Sequence, residues 1–254
     1  MLRDKRLVAA SFSKAANRYD QVANLQRRIA DHLSQWLGHE SAEVALDLGS
    51  GTGYANAWLA GCSTRLINLD LAEGMLRYAR SLNNEGSFTV GDAECLPLAD
   101  QSCDLIWSSL ALQWSEQPTL LFNELARVTS PGARVLIATL GPETLCELRE
   151  AWAKVDQHQH VNRFIDVDQW LTHANAFERV RHEQVREVER FDTVSQLIRS
   201  LRDLGAHNVN PDRAPGLGGQ RSLRKMIELY AIDSTHKQQV PATYDVHYIE
   251  LKRR

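Results

Sequence analysis

The sequence predicts an α/β fold in which a mostly parallel sheet carries helices on both faces. Three observations point to it. Short apolar runs alternate with segments of helical periodicity between residues 44 and 140. The first of these runs ends in a glycine-rich loop that opens a helix. Two further strand patterns follow, set among additional helices. Strands covered on both faces read as continuous apolar runs, and their alternation with helices at this spacing implies parallel neighbours.

The first forty residues read as helix: Ala15, Tyr19, Val22, Ala23 and Leu25 recur near helical spacing, and Ile29, Leu33, Trp36 and Leu37 continue the pattern. Strands are expected at 44–49 (VALDLG), 64–70 (TRLINLD), 87–92 (SFTVGD), 103–110 (CDLIWSSL) and 133–140 (ARVLIATL). Helices Tyr54–Ala60, Glu73–Leu82 and Thr119–Val128 lie between them. Beyond Leu140 the rhythm changes. Residues 141–155 predict a helix with Pro142 near its first turn, and 177–191 a long strand rich in β-branched residues. An amphipathic helix spans 193–206, with Val194, Leu197, Ile198, Leu201 and Leu204 on one face and Gly205 to end it. A loop at 215–219, a helix at 221–231 and a last strand at 242–253 complete the chain. The expected organisation is one domain over 1–254: N-terminal helices in 1–40, a ligand-binding core in 41–140, and helical insertions at 141–175 and 193–240. Those insertions are expected to cap the carboxyl edge of the sheet, where open α/β sheets bind ligands.

Composition narrows the function. With 254 residues and 43% hydrophobic content the chain can bury a core without metal or disulfide staples. A net charge of −3 gives no basis for bulk nucleic-acid affinity. Four scattered cysteines, Cys62, Cys95, Cys103 and Cys146, form no metal-spaced pair and read as reduced thiols. His158 and His160 have no third ligand nearby in sequence, so no metal is expected. The N-terminus lacks the apolar stretch of a signal peptide, and the longest apolar run, Val135 to Leu140, is too short to span a bilayer. A cytoplasmic protein that does not engage membranes is expected, working as a monomer.

The strongest local signal is Asp47-Leu48-Gly49-Ser50-Gly51-Thr52-Gly53. Its glycines permit a tight turn and a ligand laid against bare backbone. Such loops also serve NAD and FAD. Three acids at the ends of successive strands sharpen the reading. Asp47 precedes the glycines, where a carboxylate can accept from a ligand ammonium; nicotinamide fingerprints usually carry an apolar residue there. Asp70 ends the second strand, where an acid can take both ribose hydroxyls, and Asp92 ends the third, within reach of an adenine amino group. Ammonium, ribose and adenine together describe S-adenosylmethionine, and no phosphate site of the kind a dinucleotide needs is evident.

On these residues the chain resembles the class I S-adenosylmethionine-dependent methyltransferases, whose seven-stranded Rossmann-like sheet ends in an antiparallel strand. That resemblance implies that Gly49, Gly51 and Gly53 pass under the methionine half, that Asp70 holds the ribose, and that Asp92 meets adenine between Leu71 and Ala93. It also places Ser108 beside the methyl group. Segments outside the common motifs are more specific: residues 12–30, the LQW after the fourth strand (112–114), the TLCELREAW helix (144–152), HVNRF (160–164) and LRDLGAHN (201–208). Together they resemble, nearly end to end, the malonyl-acyl carrier protein O-methyltransferases of biotin synthesis.

The resemblance implies methyl transfer to the free carboxylate of malonyl-acyl carrier protein. A carboxylate ionised at pH 7 is already the nucleophile, so positioning and desolvation should carry the rate without a general base. Tyr19, Trp114 and Arg149 are the candidate catalytic residues, with Gln26 beside Tyr19 to close over the cofactor. Asn162, Arg163, Arg221 and Tyr244 are candidate substrate contacts. An acidic carrier protein would be met by the stretch 196–226, where Arg199, Arg202, Arg213, Arg221, Arg224 and Lys225 outweigh Asp203 and Asp212 for a net +4. Another small carboxylate or a quinone-type ring carbon remains open as the methyl acceptor at this point.

Overall fold

The computed structural model describes residues 4–39, 41–82, 84–205, 218–230 and 238–254. Two helices open the chain, α1 (Lys5–Val22) and α2 (Asn24–Ser34). The alternating core runs β1 (Ala42–Leu48), α3 (Asn56–Gly61), β2 (Ser63–Asp70), α4 (Glu73–Ser81), β3 (Ser87–Val90), β4 (Cys103–Ser109), α5 (Pro118–Val128) and β5 (Thr129–Leu140). Then come α6 (Cys146–Ala153), α7 (Val167–Leu171), β6 (Phe177–Phe191), α8 (Val194–Asp203), α9 (Gly218–Leu229) and β7 (Val240–Arg253).

The seven strands form one sheet in the order β3-β2-β1-β4-β5-β7-β6. β1 pairs parallel to β2 and β4, and β4 parallel to β5. β7 runs antiparallel to both of its neighbours, as the resemblance implied. The chain reverses its direction of winding between β1 and β4, so the loop after β1 opens at a topological switch point.

Both faces are buried, which explains the unbroken apolar runs. On one face Ala45, Leu105, Trp107, Leu136 and Tyr248 pack with residues of α2, α3, α6, α8 and α9. On the other, Leu46, Ile106, Val135, Ile137 and Ile249 pack with α5 and α7. Adjacent residues of a strand point to opposite faces, so Leu46 and Ala45 divide between the two cores. α1 belongs to neither; Phe12, Ala16 and Tyr19 instead make a small cluster with Ala72, Met75 and Tyr78.

Three expectations are corrected. The helix predicted over 141–155 begins only at Cys146. Leu145 sits in the left-handed region (φ 54°), held by its N–H donating to Thr243 O, and Gly141 N–H donates to Asp245 O. β7 therefore captures 141–145 as a turn. The loop predicted at 215–219 gives way at Gly218, where α9 starts; residues 215–217 and Arg213 lie outside the described residues. Finally, the second half of the 141–175 insertion does not cap the sheet's edge. Val167 and Trp170 of α7 pack in the core beneath α5, with Trp170 edge-on to Phe122 at 4.8 Å. α8 matches its expected span closely, because Thr193 and Gln196 form a reciprocal capping box and Gly205, at φ +74°, follows its last turn.

One charged side chain fastens α2 to the sheet. Arg134 of β5 donates from Nη1 to Leu37 O (2.7 Å), from Nη2 to Trp36 O (2.6 Å) and from Nε to Glu250 Oε1 (2.8 Å). It satisfies carbonyls after the helix that have no helical partner. Arg134→Ala should lower the unfolding free energy by about 2–3 kcal/mol, because charge-assisted bonds are lost and Glu250 is left half-buried. A urea titration with unchanged m-value checks this; a loss under about 0.5 kcal/mol would show that water replaces the guanidinium.

Candidate active site

The glycine loop hangs from β2. Gly49 N–H and Ser50 N–H both donate to Leu69 O, at 2.7 and 3.0 Å. Gly49 has φ +80°, and a Cβ there would fall 2.1 Å from Ala111 Cβ, so no side chain fits. Gly51, at φ +55°, faces open space, which leaves its backbone bare to the cleft.

Three carboxylates stand around this loop. Asp47 is 2% exposed, and its Oδ2 has no hydrogen-bond partner among the described residues. Burial, reinforced by the nearby Asp70, pushes its carboxyl up to about 8. A buried acid with one oxygen unpartnered among the described residues, in the strand that leads into a bare glycine loop, fits a cationic ligand group that would let it ionise. Asp70 accepts from Gly51 N–H (2.9 Å) and Ala72 N–H (2.7 Å), which ties the loop to the end of β2. Its two oxygens retain lone pairs for further donors. Burial raises the Asp70 carboxyl, and these backbone donors oppose the rise. Asp92 is engaged from above: Lys5 Nζ of α1 lies 2.8 and 2.7 Å from its two oxygens.

The cleft between these groups lies at the carboxyl edge of the sheet. Leu48, Gly49, Gly51, Asp70, Leu71, Gly91, Asp92 and Ala93 line its floor. Lys5, Val8, Ala9, Phe12 and Tyr19 of α1 roof it, while Ser109, Leu110, Leu112 and Trp114 close one end. Phe12 meets the Trp114 ring edge-on at 5.4 Å. Leu110 holds a left-handed backbone (φ 54°), supported by its N–H donating to Ala138 O and by Gln113 Nε2 donating to its carbonyl. Such strain in a bulky residue is typical of functional sites. Burial also raises the Tyr19 hydroxyl well above its ordinary range, so it stays protonated.

The structure brings Tyr19, Gly49, Gly51, Asp70, Leu71, Asp92, Ala93 and Trp114 together around one cleft. Asp47 is buried behind this lining, one residue before Leu48. Other expected residues lie elsewhere. Gly53 supports the loop from behind, where a Cβ would strike Asn84 at 2.0 Å. Ser108 is fully buried with its hydroxyl donating to Leu48 O (2.7 Å), and Ser109 lines the cleft in its place. Gln26 on α2 is half-buried, its Oε1 unpartnered among the described residues, off the cleft wall. Tyr244 of β7 is 5% exposed within the core. Arg149 of α6 donates to Thr144 O at 3.2 Å, and Asn162 is buried with its Oδ1 unpartnered among the described residues. Arg163, Arg199, Arg202, Arg221, Arg224 and Lys225 are exposed. Sequence reasoning passed over Lys5, Val8, Ala9 and Phe12. Their signal was present: positions 5, 8, 9, 12 and 19 share one helical face.

Comparison with known proteins agrees with this geometry. A methyltransferase domain family matches residues 46–137. The biotin biosynthesis bifunctional protein BioHC of Cellvibrio japonicus is 42% identical over 98% of this chain and 50% of its own length. The chain thus spans about half the length of that relative. The malonyl-[acyl-carrier protein] O-methyltransferase of Yersinia pestis is 39% identical over 91% of this chain and 86% of its own length. Among solved structures, a methyltransferase-titled protein from Bacillus halodurans shares the fold, with TM-score 0.62 and 16% identity over 87% of this chain and 97% of its own.

The buried acid makes a pH-dependent prediction. Asp47 has its carboxyl raised from 3.8 to about 8, so the folded protein holds a proton that the unfolded chain releases over that range. Stability therefore falls as pH rises from about 4 to about 8 and is flat above. Asp47→Asn removes this penalty: the ligand-free variant should match the parent near pH 4 and exceed it by a growing margin up to pH 8. Thermal melts across that range measure it, and a variant less stable at pH 8 would contradict it.

Proposed function

The chain belongs to the malonyl-[acyl-carrier protein] O-methyltransferase family, and we propose that it methylates the free carboxylate of malonyl-acyl carrier protein with S-adenosylmethionine as donor. The methyl ester is the species from which pimeloyl formation begins in biotin biosynthesis. It hides a charge that would be costly to bury in the apolar tunnels of fatty-acid elongation enzymes. The observation that carries the cofactor assignment is the buried Oδ2 of Asp47, unpartnered among the described residues, in the strand that leads into the glycine loop.

The cofactor supplies an electrophilic sulfonium methyl. Asp47 takes the ammonium, Asp70 the ribose hydroxyls, and Asp92 the adenine amino group between Leu71 and Ala93. Phe12, Tyr19, Leu110 and Trp114 form the apolar end of the cleft, where they exclude water from the reacting methyl. A protonated Tyr19 is a donor there and not a base, which suits an acceptor already ionised. Arg149, Asn162, Arg163 and Arg221 stand outside the lining of the cleft, and we keep them as the candidate contacts of the malonyl-carrier substrate.

An acidic carrier domain would dock on α8 and α9. Arg199 and Arg202 sit one turn apart on α8, and Arg221, Arg224 and Lys225 share a face of α9, all exposed. No described helix is long and apolar enough to cross a membrane. We place the enzyme in the cytoplasm, with its carrier protein.

Incubation with labelled S-adenosylmethionine and malonyl- or acetyl-carrier protein tests the reaction. Base-labile label on the malonyl species alone is expected; label on neither, with cofactor bound, would send the assignment to another acceptor. Charge reversal at Arg202 and Arg224 should raise KM several-fold for malonyl-carrier protein and less for a small malonyl thioester. Equal increases for both substrates would remove the docking role.

A further inference from the structure

α1 is fastened across the whole cleft yet rooted in neither core. Of its eighteen residues only Val8, Ala15 and Ala16 are buried. Polar contacts along its length hold it, Arg27 of α2 pairing with Asp20 among them. At one end Lys5 Nζ bridges Asp92 and Glu94, the latter at 2.5 Å. Near the other, Asp20 Oδ1 accepts from Thr52 Oγ1 of the glycine loop at 2.8 Å. Between them, Ser13 Oγ accepts from Gly74 N–H, in the first turn of α4, at 3.1 Å. Ser11 Oγ donates to Gly205 O, after α8, at 3.0 Å. From Lys5 to Asp20 the helix spans about 22 Å, from the loop after β3 to the loop after β1. A ligand bound between Asp70 and Asp92 would lie under it, with Lys5, Val8, Ala9, Phe12 and Tyr19 across its path.

We propose that α1 is a strap that lifts from its Lys5 end to admit and release the cofactor, and that Lys5 is the positioning residue that latches it by bridging Asp92 and Glu94. The proposal rests on reading the cleft as the cofactor site. A segment with few buried apolar contacts opens at low free energy without disturbing the rest of the fold. The latch is separable from the loop it grips. Glu94 is also held by Ser115 Oγ (2.7 Å), Glu116 N–H (2.9 Å) and Gln117 N–H (3.0 Å), so these bonds persist when Lys5 is removed. Gly74 offers a second handle. It does not line the cleft, and a Cβ there would stand 2.7 Å from the Ser13 Cα, close enough to push the strap off its seat.

The test uses S-adenosylhomocysteine as the probe. Its release is followed by stopped-flow tryptophan fluorescence, and amide exchange is followed along the ligand-free chain. Lys5→Met, which loses the charge-assisted contact, and Gly74→Ala, which pushes the strap off its seat, should each release the probe about tenfold faster than the parent. Both should also speed amide exchange in α1 while leaving β1 and β4 unchanged. Parent-like release from both variants, with the probe bound, would overturn the strap. Faster release from Lys5→Met alone would do so too, because Lys5 would then act only through Asp92. A parent protein that binds no probe would sink the cofactor reading, and the strap with it.

Discussion

A carboxyl group buried with one oxygen unpartnered among the described residues is costly to ionise, and this fold is built around such a group. Asp47 is the sixth residue of β1, where both faces of the sheet are covered and the strand has no freedom to turn it outward. The chain surrounds its Oδ2 with no donor among the described residues. Moving it would require moving β1, which pairs with β2 and β4 on either side. The cost is therefore fixed by the sheet itself, and a ligand cation is what relieves it.

Everything else about the site extends from that strand. The loop after Asp47 is suspended from Leu69 O, and Asp70 reaches back to Gly51, so the ends of β1 and β2 form one rigid cradle. The parallel pairing sets their relative height: Asp47 lies opposite Asn68, two residues before Asp70. The roof is different in kind. It is a helix joined by side-chain hydrogen bonds and one small aromatic cluster, suited to a part that covers a ligand without belonging to the core. Rigid floor and lightly held roof divide the work of recognition from that of access.

The sheet was legible because burial on both faces leaves continuous apolar runs, and the cradle because glycines and strand-end acids sit next to each other in sequence. The errors came where contacts are remote. Nothing local marks Leu145 as left-handed; the capture of 141–145 depends on Thr243 and Asp245, about a hundred residues away. Lys5 and Asp92 are 87 positions apart, so their bridge has no local signature, although the shared face of Lys5, Phe12 and Tyr19 did. Ser108 and Ser109 differ by one place, and in a strand that one place exchanges core for cleft.

The central claim is that a ligand ammonium relieves the buried acid in the strand that leads into the glycine loop. Calorimetric titration with S-adenosylhomocysteine near pH 6.5, in buffers of different ionisation enthalpy, counts the protons exchanged on binding. With the free carboxyl raised to about 8, Asp47 is protonated at that pH and must ionise to pair with the ammonium. The account predicts release of close to one proton, and none for an analogue lacking the amino group. Tight binding of both compounds with no proton released would contradict it.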